Sequence, residues 1–229
     1  MDEMGVISPV QGSTNWCKGL DVVSKPNGSI RLCVDLTGLN KAVKREIHPM
    51  ASVEESLAQL RDSRISSKLD ANSGFWQLKL GENARLLTTF LTPFGRYCYN
   101  RLPFGISSAP ETFQRTMTKI LTGLQNVSCH MDDILVQGKR RESHDEALRQ
   151  VLRRLEEAGM TRNKDKCLFH QESLTFLGHI IDARDVSLDT RKTAAIKNYP
   201  VPTTKNEIRR LNGMLQQMVR FIPNLATHN

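Results

Sequence analysis

The sequence predicts an α+β fold, and three observations predict it. Short segments of alternating or continuous apolar residues are separated by turn signals such as Lys25-Pro26-Asn27-Gly28 and Thr92-Pro93-Phe94-Gly95, the pattern of hairpins. Several Ser/Thr-x-x-Glu patterns stand before apolar stripes at helical spacing, the mark of capped helices. Towards the C-terminus strand signals cease and helical ones remain, so a small helical subdomain follows the mixed body.

In chain order, residues 20–24 and 30–35 read as two strands around the Pro-Asn-Gly turn. Pro presets one dihedral there and Asn-Gly accepts positive φ. Ile30, Leu32 and Val34 share the buried face, opposite Arg31 and Asp35. Lys25 and Arg31 on this hairpin either grip phosphates or make an exposed basic loop. Ser52-x-x-Glu55 opens a helix with Val53, Leu57 and Leu60, and residues 64–70 form a strand ending in the carboxylate of Asp70. Ala71-Asn72-Ser73-Gly74 follows, and small residues after a strand let backbone N–H groups converge on phosphate. Phe75 and Trp76 read as core aromatics. Residues 77–80, 87–91 and 96–101 are short strands. Ser108-Ala109-Pro110-Glu111 is a second capping box, leading to the stripe Phe113, Met117, Ile120, Leu121 and Leu124.

Residues 127–131 and 134–137 read as strands around Asp132-Asp133, which puts two adjacent carboxylates at a tight turn. Side chains alternate along strands, so the two Asp point in different directions, one to serve a site and one to support it. A solvated turn is the plain alternative. Lys139, Arg140 and Arg141 make a basic loop before a third box, Ser143-x-x-Glu146, with Leu148, Val151, Leu152 and Leu155 on one face and Gly159 as the C′ residue. Lys164 and Lys166 lie in a further basic loop. Residues 174–182 read as a strand interrupted at Gly178. Residues 191–199 form a helix stopped by Pro200-Val201-Pro202, and Thr204-x-x-Glu207 caps the last, with Ile208, Leu211, Leu215 and Met218 on one side.

The bulk numbers narrow the function. The 229 residues carry a net charge of +8, which suits a polyanionic partner, most often nucleic acid. No apolar run reaches membrane-spanning length and the N-terminus has no signal-peptide core. The five Cys (17, 33, 98, 129, 167) are odd in number and scattered. They read as reduced, mostly buried thiols of an intracellular protein. Cys167-x-x-His170 lacks a second ligand pair nearby in sequence.

Asp70, Asp132 and Asp133 come from separate strand ends. Three carboxylates brought together hold hard cations, because like charges repel without one. Paired Mg²⁺ ions held this way run in-line phosphoryl transfer. With a basic chain and a phosphate-cradling turn after Asp70, nucleotidyl transfer follows.

Six ordered blocks carry a resemblance: Val34-Asp35-Leu36-x-x-Leu39-Asn40, Lys68-Leu69-Asp70-Ala71-Asn72-Ser73-Gly74-Phe75-Trp76-Gln77, Thr88-Thr89-Phe90-x-Thr92-Pro93-Phe94-Gly95, Leu102-Pro103-Phe104-Gly105-Ile106-x-x-Ala109-Pro110, Met131-Asp132-Asp133-Ile134-Leu135 and Phe176-Leu177-Gly178-His179. With Phe221-Ile222-Pro223-Asn224 near the end, they resemble the reverse transcriptase domain of gypsy-type LTR retrotransposon Pol polyproteins. The resemblance implies a right-hand polymerase: fingers at 1–44 and 77–102, palm at 45–76 and 103–182, and a truncated helical thumb at 183–229. It implies an RNA-directed DNA polymerase that extends a primer on an RNA or DNA template with dNTPs. Asp70, Asp132 and Asp133 would be the catalytic triad. Asp70, Asp132 and the Ala71 carbonyl would hold two Mg²⁺ ions, replaceable by Mn²⁺, with Asp133 supporting. Lys25, Arg31, Ser73, Gly74, Phe75 and Phe104 would bind the dNTP, Phe75 as the gate against a 2′-hydroxyl. His130 and Met131 would meet the primer terminus, and Phe176, Leu177, Gly178 and His179 would grip the primer. Other parts of a Pol polyprotein would be partners, in a cytoplasmic particle or the nucleus. Against the resemblance stand three departures. His130 stands where the family usually has Tyr, Lys18-Gly19 follows Trp16-Cys17 where the family usually has Ser-Pro, and the chain ends inside the thumb, as a polyprotein fragment or a shortened descendant would. A non-catalytic nucleic-acid-binding remnant is therefore the alternative to the enzyme.

Overall fold

The structure, a computed structural model, describes residues 1–24, 30–45, 48, 55, 63–182, 186–188 and 190–216. At its centre lies a four-stranded antiparallel sheet in the order β7-β8-β4-β9. β4 is Ile65–Asp70, β7 Val127–His130, β8 Asp133–Gly138 and β9 Leu168–Gln171. β4 and β8 pair residue for residue from Ile65↔Gly138 to Asp70↔Asp133. That register decides which side chains share a face. Leu69, Ile134 and Val136 face the helices. They pack on Phe113, Met117 and Leu121 of α3 (Ala109–Leu121) and on Leu148, Val151 and Leu155 of α4 (Arg141–Glu157). Leu135 faces the other way and packs on Leu174, Phe176 and Ile181 of the β10–β11 hairpin (Ser173–Phe176 and His179–Asp182). Phe113, Met117, Val136 and Phe176 are fully buried, each contributing about 1.5–3 kcal/mol of transfer free energy.

The helix starts correct two of the expected capping boxes. α3 starts after Ser108 with Pro110 in its first turn, as read, but the Ser108 side chain makes no cap bond. Glu111 has turned to an ion pair with Arg45 instead, which takes the carboxylate out of the capping box. α4 starts at Arg141, before the expected Ser143. Ser143 is the third helical residue, its hydroxyl accepting from the Arg140 N–H (3.4 Å) and donating to the Arg140 carbonyl (2.9 Å). The far end of α4 is as expected. Gly159 has φ +67°, its N–H bonds the Glu156 carbonyl, and the Met160 N–H reaches Leu155 at 2.8 Å, which is a Schellman closure.

A second, three-stranded sheet has the order β1-β6-β5. β1 (Ile7–Pro9) was not predicted; β5 is Phe90–Thr92 and β6 Gly95–Tyr99. Here residues 77–80 are no strand: Gly74–Gln77 is a 3₁₀ turn, and Lys79 only bridges to Arg101. The expected strand at 87–91 is displaced by a short helix, α2 (Glu82–Leu87). The hydroxyls of Thr88 and Thr89 bond back to the Arg85 and Leu86 carbonyls at 2.6 Å, so these β-branched residues end the helix instead of extending a strand. α1 (Thr37–Ala42) was also missed; the N–H of its first residue, Thr37, donates to Asp35 Oδ1 at 2.9 Å.

The β2–β3 ribbon (Leu20–Ser24 and Ile30–Val34) forms as read, but the face assigned to the core is not fully covered. Leu32 and Val22 are exposed, because a two-stranded ribbon has no layer above it. Residues 174–182 are a hairpin, not one interrupted strand. Leu177 (φ +50°) and Gly178 (φ +76°) make the turn, both with the sign that a type I′ turn needs. β12 (Val186–Leu188) extends that sheet. The tail holds α5 (Thr190–Lys197) and α6 (Lys205–Gln216). The α6 capping box is as expected: Glu207 Oε2 accepts from the Thr203 and Thr204 N–H groups, and Thr204 Oγ1 accepts from Glu207 N–H. These bonds hold the Glu207 carboxyl below its ordinary range. Met218, 221–224 and the box Ser52-x-x-Glu55, apart from Glu55, lie outside the described residues. All five cysteines are free, as read, but only Cys98 is fully buried and Cys17 is exposed. No helix among the described residues is long and apolar enough to cross a membrane.

One close approach ties helix to sheet. A Cβ on Gly138, at the end of β8, would lie 2.6 Å from the His144 backbone nitrogen and 2.8 Å from its Cα. Neither is a flexible end that could move aside. Gly138→Ala should therefore lower the urea midpoint of unfolding by about 1–3 kcal/mol equivalent; an unchanged midpoint would refute this packing.

Candidate active site

The turn between β7 and β8 is two residues long, with His130 paired to Asp133 and Met131-Asp132 at the tip. Met131 has φ +55°, a left-handed conformation that costs a non-glycine residue about 1–2 kcal/mol. Gln114 of α3 holds it there. Its side chain accepts from the Met131 N–H at 2.7 Å and donates to the Cys129 carbonyl at 2.9 Å. This buried glutamine was missed from sequence. The available signal was a polar residue on the same helical face as Phe113 and Met117. Cys129 beside it donates to the Met131 carbonyl, and burial, then the charges of Asp132 and Asp133, push its thiol up to about 12, so it stays protonated.

The sheet brings the three carboxylates to one end. Asp70, last in β4, stands directly opposite Asp133, first in β8. The Ala71 N–H donates to the Asp132 carbonyl at 2.8 Å, locking the turn against the end of β4. Like charges opposite each other destabilise a sheet, and two lysines offset them. Lys68 Nζ is 3.0 Å from Asp133 Oδ1, and the exposed Lys166 Nζ is 3.4 Å from Asp70 Oδ1. Neither lysine was singled out from sequence as a countercharge. Among the described residues Asp132 has no ion pair, although the Lys166 charge acts on it weakly. Its Oδ1 is buried without a hydrogen bond. Burial raises its carboxyl above the ordinary value, and the charges of Asp70 and Asp133 raise it further. The two members of the Asp pair thus differ in surroundings: Asp133 is ion-paired, and Asp132, in the turn, has no ion pair among the described residues.

Gly74 makes room for Asp132. A Cβ there would fall 2.0 Å from Asp132 Oδ1 and 2.9 Å from Phe113 Cζ. Ser73, with φ +50°, starts the 3₁₀ turn, and the amides of Ser73 and Gly74 donate to no acceptor among the described residues. Gln77 pins this turn to the opposite strand segment, donating to the Asn72 and Thr161 carbonyls and accepting from the Thr161 N–H. Phe75 is partly buried, 5.0 Å from the Phe104 ring and 5.6 Å from Phe113. Phe104 is half-exposed, at 52%. Ala71 is buried and its carbonyl accepts no hydrogen bond among the described residues.

The other predicted site residues divide. Leu177 and Gly178 form the turn of the hairpin that packs on Leu135, between Lys68 and Asp133 in the sheet's register. Phe176 is wholly buried and His179 nearly so, its Nδ1 3.1 Å from the Leu177 carbonyl. These two side chains build the hairpin from beneath. Arg31 stands on β3 opposite Val23, and Lys25 lies outside the described residues.

Converging carboxylates, one of them raised in pKa with a buried, unpaired oxygen, fit a divalent cation: the orphaned Asp132 oxygen and the Ala71 carbonyl are hard oxygen donors. Residues 23–181 match the family described as "Reverse transcriptase (RNA-dependent DNA polymerase)". This chain belongs to the reverse transcriptase family. The domain is 34% identical over 211 residues to the retrovirus-related Pol polyprotein from transposon 297 of Drosophila melanogaster, covering 90% of this chain and 20% of that protein. It is 32% identical over 203 residues to the transposon Tf2-3 polyprotein of Schizosaccharomyces pombe, covering 88% and 15%. The reverse transcriptase domain thus spans a fifth or less of these two relatives, and the LTR-retrotransposon resemblance is borne out. Among solved structures, a foamy viral protease-reverse transcriptase in complex with double-stranded DNA superposes with a TM-score of 0.90 over 98% of this chain and 39% of that one, at 24% identity. A second, in complex with an RNA/DNA hybrid, gives 0.81 over 93% and 29%, at 23% identity. At those identities the likeness establishes the fold, and the expected α+β class stands.

The electrostatics of the reverse transcriptase site set a stability test. Asp132 titrates higher folded than unfolded, so its contribution is most favourable below the ordinary carboxylate pKa and is lost as pH rises through the folded value. At neutral pH the charged Asp132 weakens the fold. In metal-free buffer Asp132→Asn should raise the Tm by a few degrees at pH 7, and the gain should vanish below about pH 4. A lower Tm for the variant at pH 7 would contradict the unpaired carboxylate.

Proposed function

We propose that this chain is an active RNA-directed DNA polymerase domain that extends a primer 3′-hydroxyl with dNTPs on an RNA or DNA template. The observation that carries the proposal is Asp132 Oδ1, buried and unpaired beside Asp70 and Asp133. A fold with no use for charge there would replace or pair that carboxylate. Asp70, Asp132 and the Ala71 carbonyl would hold two Mg²⁺ ions, with Mn²⁺ able to replace them. Bound there, such ions activate the attacking oxygen and neutralise charge on the leaving pyrophosphate.

The chain's own residues do the rest. Asp133, paired to Lys68, keeps the β4–β8 end closed and the two other carboxylates in place. The unpaired Ser73 and Gly74 amides offer two donors to the triphosphate, a cradle without side chains. Lys25 and Arg31 add positive charge from the fingers ribbon. Lys166, exposed and held only at 3.4 Å, is free to leave Asp70 for a phosphate. Phe75, braced by Phe104 and Phe113, lies under the sugar and rejects a 2′-hydroxyl. Leu177-Gly178 supports the primer strand through its backbone, while His130 and Met131 meet the primer end. The net positive charge tracks both backbones without reading sequence. Fingers, palm and thumb follow the boundaries given above, the free cysteines suit a reducing compartment inside the cell, and other segments of a Pol polyprotein are the expected partners.

Primer extension on an RNA template with dNTPs and Mg²⁺, beside Asp132→Asn, tests the activity. Extension by the parent, reduced at least a hundredfold in the variant, is the expected result. No extension with retained primer–template binding would favour a non-catalytic remnant, with His130 in place of the family's tyrosine as the first suspect. The gate has its own test. Phe75→Ala should incorporate NTPs, at least tenfold better relative to dNTPs than the parent, and Phe75→Tyr should not. Unchanged discrimination in Phe75→Ala would remove Phe75 from that role.

A further inference from the structure

The sheet face opposite the carboxylates carries a second cluster of ligating side chains that the polymerase chemistry does not use. His144 and Asp145 come from the first turns of α4, and His170 from β9. Their ligating atoms all lie within 4.8 Å of one another. Asp145 Oδ1 sits between the two rings, 2.9 Å from His144 Nδ1 and 2.7 Å from His170 Nε2. His144 is fully buried, Asp145 partly, and His170 opens to solvent. The rings lie 4.9 Å apart between centroids.

Ser67 of β4 organises the group. Its hydroxyl is 2.9 Å from His144 Nε2 and accepts the His170 backbone N–H at 3.0 Å. That second bond holds His170 at φ +52°, a left-handed backbone that β-strands avoid. In the first, the hydroxyl can accept a hydrogen bond from the His144 Nε2–H, which leaves the Nδ1 lone pair pointing at the cluster. A ligating histidine is commonly fixed in this way, its other ring nitrogen donating to a neighbouring oxygen.

We propose that His144 Nδ1, Asp145 and His170 Nε2 form a binding site for a borderline divalent transition-metal ion, Zn²⁺ foremost, distinct from the catalytic carboxylates. Two imidazoles and one carboxylate suit Zn²⁺ and its neighbours, whereas Mg²⁺ takes oxygen donors. Bonds of about 2.0–2.2 Å in a tetrahedron space ligand atoms by roughly 3.3 Å, so Asp145 swings outward by about half an ångström while the two ring nitrogens, within 4.8 Å of each other, close to that spacing. The exposed side of His170 leaves the fourth position to water. Such an ion would staple the start of α4 to the edge strand β9, which leads back to Lys166 and thus to the catalytic end of the sheet.

The test uses the full chain, stripped of metal and then held in millimolar Mg²⁺. Co²⁺ is added and its visible d–d absorption recorded, with Zn²⁺ binding followed by calorimetry. The expected result is one equivalent bound with a nitrogen–oxygen Co²⁺ spectrum that Zn²⁺ displaces. His170→Gln keeps the backbone bond to Ser67 and should weaken binding at least tenfold, as should Asp145→Asn, while Asp132→Asn should leave it unchanged. No Co²⁺ spectrum in the parent, or equal affinity in the parent and both cluster variants, would overturn the site and leave a hydrogen-bonded His–Asp–His clamp. Loss of binding in Asp132→Asn alone would assign the ion to the catalytic carboxylates. None of these readouts depends on polymerase activity.

Discussion

Three carboxylates that repel one another are held at one end of a sheet, and the rest of the structure depends on that constraint. Asp70 and Asp133 face each other because β4 and β8 pair in a single register. Asp132 joins them because a two-residue turn puts it beside the last residue of the ladder. Left alone, these charges would push the strand ends apart. The Ala71 N–H to Asp132 carbonyl bond, the Gln114 clamp on Met131 and the lysine partners of Asp70 and Asp133 hold them together. Each restrains the backbone or cancels one charge, and none reaches Asp132 Oδ1. The fold thus keeps one carboxylate oxygen bare, a state that a proton or a bound cation relieves.

The core explains why the constraint can be met. A sheet with both faces covered resists a local distortion. On one side α3 and α4 seal Leu69, Ile134 and Val136, and on the other the β10–β11 hairpin seals Leu135. Close packing makes displacement of a strand end a matter of moving many neighbours. Gly74 and Gly138 mark two close approaches, one against a carboxylate and one against a helix start. The strained left-handed residues Ser73 and Met131 stand at the same end, as strain does at functional sites.

Much of the candidate site was legible in the sequence because its parts are local. An Asp pair between apolar runs, a carboxylate closing a strand and a run of small residues after it are each written in a few consecutive positions. The family blocks added their order. What was not legible were the partners. Lys68 is an ordinary strand residue until the register sets it beside Asp133, and Gln114 is an ordinary helix residue until α3 crosses the turn. The misread boundaries have the same origin. Glu111 left its capping box for Arg45, and Thr88 and Thr89 ended a helix where β propensity suggested a strand.

By itself the sequence determined the α+β class, the hairpins at the Asp pair and at the exposed ribbon, the amphipathic helices and the identity of the three carboxylates. Turn chemistry, periodicity and the spacing of charge are properties of neighbouring residues, and they survive being read one segment at a time. The tertiary structure alone decided which carboxylate stays unpaired, which aromatics brace Phe75, that Phe176 lies beneath its hairpin, and that two histidines and an aspartate meet behind the sheet. Those outcomes rest on contacts between residues far apart in the chain, set by strand register and helix crossing, which no local pattern specifies.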